Sequence, residues 1–84
     1  MGRYKVIWSP IAIRQLADAY LNAASPNDVT RASDEAEREL ANDAGQVGES
    51  RDGGLRAYIV SPLTIFFDVH EPDKTVEIVK VVLS

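Results

Sequence analysis

The chain has 84 residues, 45% of them hydrophobic and 26% charged, a balance that fits one globular domain and leaves no room for a second. It has no cysteine, so neither disulfides nor thiolate-bound metal can hold the fold, and apolar packing has to do so. The formal net charge of -4 opposes a simple nucleic-acid-binding surface, which needs clustered Lys and Arg.

Met1 to Lys5 leads straight into a short alternating segment rather than a signal-type apolar region. No apolar run approaches the ~20 residues that span a bilayer. The expectation is a cytoplasmic, unprocessed protein with no membrane contact. Tyr4-Lys5-Val6-Ile7-Trp8 mixes aromatic and β-branched residues and reads as a first strand, stopped by Ser9-Pro10. Ser9 can cap a helix and Pro10 fits its first position. Along that helix Ile13, Leu16, Ala17, Tyr20, Leu21 and Ala24 recur every three or four residues, so this stripe is expected to face the core. Ser25-Pro26-Asn27 ends it. Asn27 or Asp28 can cap a second helix, whose apolar face is Val29, Ala32, Ala36, Leu40 and Ala44. Acidity is concentrated here: residues 25–44 carry Asp28, Asp34, Glu35, Glu37, Glu39 and Asp43 against Arg31 and Arg38, whereas residues 1–24 carry Arg3, Lys5 and Arg14 against Asp18.

Gly45 is placed to end the second helix, and a glycine-rich loop follows as far as Gly54, carrying Glu49, Arg51 and Asp52. The periodicity then becomes strand-like. Leu55 to Val60, Leu63 to His70 and Thr75 to Leu83 are β-rich runs separated by the turns Ser61-Pro62 and Glu71-Pro72-Asp73-Lys74. In the middle run Ile65, Phe67 and Val69 point one way and Thr64, Asp68 and His70 the other, with Phe66 interrupting the polar face. The expected fold is α+β over residues 1–84: an N-terminal strand, a two-helix hairpin, then a three-stranded antiparallel meander, with the helices on one face of the sheet. Ile13, Leu16, Tyr20 and Leu21 are expected to lie against Ile65, Phe67 and Val69.

This order of elements resembles the RelE/ParE superfamily, the toxin half of bacterial type II toxin–antitoxin, or plasmid-stabilisation, pairs. The opening Tyr4-Lys5-Val6-Ile7-Trp8-Ser9-Pro10 is similar to the family's first strand and Ser/Thr-Pro helix start. Leu55-Arg56, Ile65-Phe66-Phe67-Asp68-Val69 and Val76-Glu77-Ile78-Val79-Lys80-Val81 are similar to its later strands. The resemblance covers nearly the whole chain. It implies a growth-inhibiting toxin neutralised by an antitoxin that adds a helix or strand, with ribosome-bound messenger RNA or DNA gyrase as target. A homodimer is compatible with it too. Antitoxins of the family are usually acidic where the toxins are basic, a pattern that the charge of -4 does not follow.

Cleavage of RNA by its 2′-hydroxyl needs a base, positive charge on the scissile phosphate and an acid for the leaving oxygen. If this chain is a ribosome-dependent endoribonuclease, the resemblance points to Arg56 in the Leu-Arg pair, with Arg51 and Lys80 as the other candidate cations. Thr64 stands where many of the nucleases are basic, and Leu83-Ser84 where they often place Arg, His or Tyr. Each candidate has a plain alternative: Arg56 as an ion-pair partner of a helix carboxylate, Arg51 as loop charge, Lys80 as an aliphatic stem over the sheet. By alternation Lys80 shares a face with Val76, Ile78 and Val82. His70 reads as a solvated turn residue, and Tyr58 and Trp8 as packed aromatics rather than stacking platforms. No metal set and no cofactor motif is present, so no cofactor is expected. Two readings stay open: a toxin of such a pair, or a non-catalytic, toxin-derived interaction module.

Overall fold

Ser9 closes the first strand and opens the first helix. The computed structural model describes residues 3–43, 49–50 and 55–83. Strand β1, Lys5–Trp8, runs into helix α1, Pro10–Asn22. The Ser9 hydroxyl accepts from the Ala12 backbone N–H at 3.1 Å, and Pro10 sits at the first helical position, where its missing donor leaves nothing unpaired. A second Ser-Pro pair, Ser25-Pro26, starts α2, Pro26–Asp43, ahead of the Asn27 or Asp28 expected as its cap. Asp28 lies within the first turn instead, where a negative charge suits the helix dipole, and pairs with Arg31 at 3.0 Å.

Within the stretch expected to be a loop, Glu49–Ser50 form a two-residue strand, β2. Gly45 and Arg51 lie outside the described residues. The chain continues through β3, Arg56–Val60, β4, Leu63–His70, and β5, Thr75–Leu83. These form the expected antiparallel meander, but the sheet is mixed: its order is β1-β5-β4-β3-β2, with β1 parallel to β5 and the other pairs antiparallel. Parallel neighbours need a long crossover, and the helical hairpin supplies the start of it.

Sheet and helices meet over one core. Leu63, Ile65 and Phe67 of β4, Val76, Ile78 and Val81 of β5, and Val60 of β3 are buried against Val29, Ala32, Ala36 and Leu40 of α2. The α2 face is thus the expected one, Ala44 lying outside the described residues. At about 1.5 to 3 kcal/mol for each fully buried large apolar side chain, this layer is the main stabilising contribution.

Two expectations are corrected. Helix α1 buries Ala12 and Ala19, with Leu16 and Ala23 partly covered, while Ile13 is 56%, Tyr20 45% and Leu21 78% exposed. The small alanines let α1 lie close to β5, where the Gln15 Oε1 accepts from the Val81 N–H at 2.8 Å, and this turns most of the larger side chains outward. The second correction concerns β5. Phe66 pairs with Lys80 but Phe67 with Ile78, so Val79 is an extra residue in the ladder. A bulge of this kind reverses the alternation beyond it. Val76 and Ile78 face the helices, then Val81 does, and Lys80 and Val82 emerge on the other side.

Candidate functional site

The side chains that α1 turns outward do not stand alone. Ile13, Leu16, Ala17, Tyr20 and Leu21, with Thr30 and Ser33 of α2, line an open groove of about 490 Å³ between the two helices. It offers apolar surface rather than hydrogen bonds, since the helix backbones are paired internally and the Ser33 hydroxyl donates to the Thr30 carbonyl at 2.9 Å. Asp34 and Glu37, both exposed, continue the α2 stripe that Thr30 and Ser33 begin, at three- and four-residue spacing. Trp8 reaches Glu37 from the end of β1, its indole N–H donating to Oε1 at 3.3 Å. A contiguous apolar patch of this kind, with a polar rim, is the usual mark of an interaction surface.

The sequence-based candidate cations separate. Arg56 pairs with Phe67 in the β3–β4 register and Tyr58 with Ile65, which puts both on the helix-facing side of the sheet. Arg56 is half-buried there and is engaged rather than free. Burial, with the carboxylates of Glu39 and Glu35 as the lesser causes, pushes the Tyr58 hydroxyl above its ordinary pKa. Lys80 is on the opposite, open face, its Nζ 5.5 Å from the centroid of the Phe66 ring. The sheet therefore stands between Arg56 and Lys80.

Around Lys80 the open face presents Ile59 and Val82, both exposed. Toward its other end Asp68 faces Glu77 across β4 and β5, and His70 Nε2 lies 3.5 Å from Asp68 Oδ2. This half of the face mixes charge, since Lys5 of β1 lies beside Thr75 on the same side as Asp68 and Glu77. Trp8 and Tyr58 are half-buried on the helix side, as packed aromatics would be.

The sequence pattern assigns the groove residues to the core, whereas most of them are exposed. The signal for the other arrangement is a wide apolar arc: Arg14, Gln15, Asp18 and Asn22 share one side of α1, and a second stripe of Ala12, Ala19 and Ala23 lies beside the stripe of larger side chains. An apolar arc wider than one contact can cover leaves part of itself for another.

A helical hairpin over one face of a mixed sheet, with the first strand parallel to the last, is the RelE/ParE-like architecture. The chain is similar in structure to one from the toxin-antitoxin complex RelBE2 of Mycobacterium tuberculosis, at 20% identity and a TM-score of 0.83, over 100% of this chain and 94% of that one. A chain of the chromosomal ParDE TA system from P. aeruginosa matches at 19% identity and a TM-score of 0.75, over 99% and 98%. TrmO from Pseudomonas aeruginosa also matches, at 22% identity and a TM-score of 0.67, over 98% of this chain but 36% of that one. No protein-family model and no curated protein matches the chain. No described helix is long and apolar enough to cross a membrane.

Proposed function

We propose that this chain is the toxin-type component of a type II toxin–antitoxin pair, with the α1–α2 groove as the docking site for its antitoxin. Its growth inhibition would then be directed at translation or at DNA gyrase. The observation that carries the reading is the groove itself: a fold shared end to end with chains of two toxin–antitoxin complexes leaves Ile13, Tyr20 and Leu21 uncovered on one continuous surface. An amphipathic segment laid into such a groove buries apolar area on both partners.

Inducing the chain in bacteria should arrest growth, and co-expression of a small protein encoded beside it should relieve the arrest. Leu21→Arg, which places a charge in the groove without touching the core, should keep the arrest and abolish the relief. Undisturbed growth on induction of the soluble, folded chain would count against a toxin.

The second reading is a non-catalytic interaction module derived from a toxin. The placement of Arg56 and Lys80 on opposite sides of the sheet favours it over ribosome-dependent cleavage, because two cations cannot clamp one phosphate through a sheet. Codon-positioned cleavage of ribosome-programmed messenger RNA by the purified chain, lost in Arg56→Ala, would reverse that preference.

A further inference from the structure

The whole of the molecule's net charge resides on residues 25–44, of which Asp34 and Glu37 border the groove while Glu35 and Glu39 act on Tyr58 on the sheet side. Between residues 25 and 44 six carboxylates stand against two arginines, which accounts for the net -4, and the seven acidic and seven basic residues of the remaining chain cancel. One of the two arginines, Arg31, is already paired with Asp28. Asp34 and Glu37 extend the groove-lining stripe of α2, whereas α1 contributes one charge of each sign, Arg14 and Asp18. With Arg38 beside them, Asp34 and Glu37 leave the α2 rim one net negative charge over an apolar floor.

The groove's polar groups limit the form of what fills it. Its walls are two helices whose backbone donors and acceptors are consumed internally, and the Ser33 hydroxyl is already bonded to Thr30. An extended segment laid there would leave its own backbone groups unpaired, but a helix satisfies them itself. A second copy of this chain fits poorly, because a two-fold contact at this patch would bring two anionic α2 rims together.

We propose that the groove takes an amphipathic helix of a partner chain whose apolar stripe is flanked by Lys and Arg along the side that meets α2. This rests on the reading of the groove as a docking site and adds the sign of its partner, opposite to the pairing of basic toxin with acidic antitoxin that the family resemblance implies.

A displayed library of amphipathic helices, with apolar positions fixed as Leu or Ile and flanking positions randomised among Lys, Arg, Glu, Asp and Gln, tests it against the full folded chain. Binders that compete for the groove, recognised by loss of binding to Leu21→Arg and to Ala17→Arg, should be enriched several-fold in Lys and Arg along one flank. Against the double variant Asp34→Lys with Glu37→Lys, checked by its thermal melt to be folded, that enrichment should disappear or turn to Asp and Glu. Groove binders with acidic flanks or no charge preference would overturn the basic-partner inference and leave the docking reading standing. Binders indifferent to both groove variants, or a self-associated chain that Leu21→Arg makes monomeric, would overturn the two together.

Discussion

Lys74 has a positive φ of 50°, uncommon for a residue with a Cβ, and such a conformation costs on the order of 1 to 3 kcal/mol unless its surroundings hold it. Its surroundings do. The backbone N–H donates to the Glu71 carbonyl at 3.1 Å, and its carbonyl accepts from Lys5 at 2.8 Å, which joins the turn before β5 to β1. The side chain places Nζ 3.2 Å from Glu71 Oε1 and 5.2 Å from the centre of the Tyr4 ring, whose hydroxyl donates to Glu71 Oε2 at 2.8 Å. These bonds, that of Tyr4 first and that of Lys74 second, hold the Glu71 carboxyl below its ordinary pKa. A carboxyl lowered in the folded state contributes stability above its unfolded pKa and loses that contribution as the pH falls through the folded value. Tyr4→Phe should therefore raise the Glu71 titration midpoint toward the ordinary range and reduce the acid-side loss of stability. A carboxyl-carbon NMR titration identical in the two proteins would show that the Tyr4 bond does not form.

At the scale of elements, the bulge in β5 decides which side chains the molecule shows. Strict alternation puts Lys80 on the face of Val76 and Ile78, under the helices, and sends Val81 outward. Val79 reverses this. Val81 enters the core beside the Gln15 contact, and Lys80 goes to the open face over Phe66. Val81→Ala should cost about 1.5 to 3 kcal/mol, the usual contribution of a buried Val. Lys80→Ala should stay within about 0.5 kcal/mol of the parent, as exposed substitutions do. Urea midpoints separate the two arrangements, since an unbulged strand would reverse the order of the two variants. The same principle applies to α1: alanines packed closely on β5 outrank the hydrophobic stripe, and the larger residues are left for a partner.

For the molecule as a whole, charge and topology point the same way. The acidic α2 and the carboxylates of Asp68 and Glu77 lie on opposite sides of the sheet, so among the described residues neither side presents the continuous basic surface that phosphate neutralisation requires. Fluorescence anisotropy with a random-sequence RNA oligonucleotide at physiological salt should detect no binding in the range of about 10⁻⁴ to 10⁻⁶ M that non-specific binders reach. Salt-sensitive binding in that range would mean that the basic residues gather on a surface more effectively than the described positions suggest.

The sequence by itself determined the class of fold, both helices and every strand except β2, which falls in the expected loop. The Ser9-Pro10 helix start, the Val29-Ala32-Ala36-Leu40 face and the three strands beginning near Leu55, Leu63 and Thr75 are local signals. Each depends on propensity, capping or spacing within a few residues, and each appears where it was read. Tertiary structure alone decided that β1 runs parallel beside β5, that Val79 reverses the strand's alternation, and that α1 faces the sheet with its alanines. These are outcomes of competition between distant segments for the same contacts. Periodicity reveals that Ile13, Tyr20 and Leu21 share a side of α1, but whether that side meets the sheet or a partner depends on what else packs closely enough to exclude it.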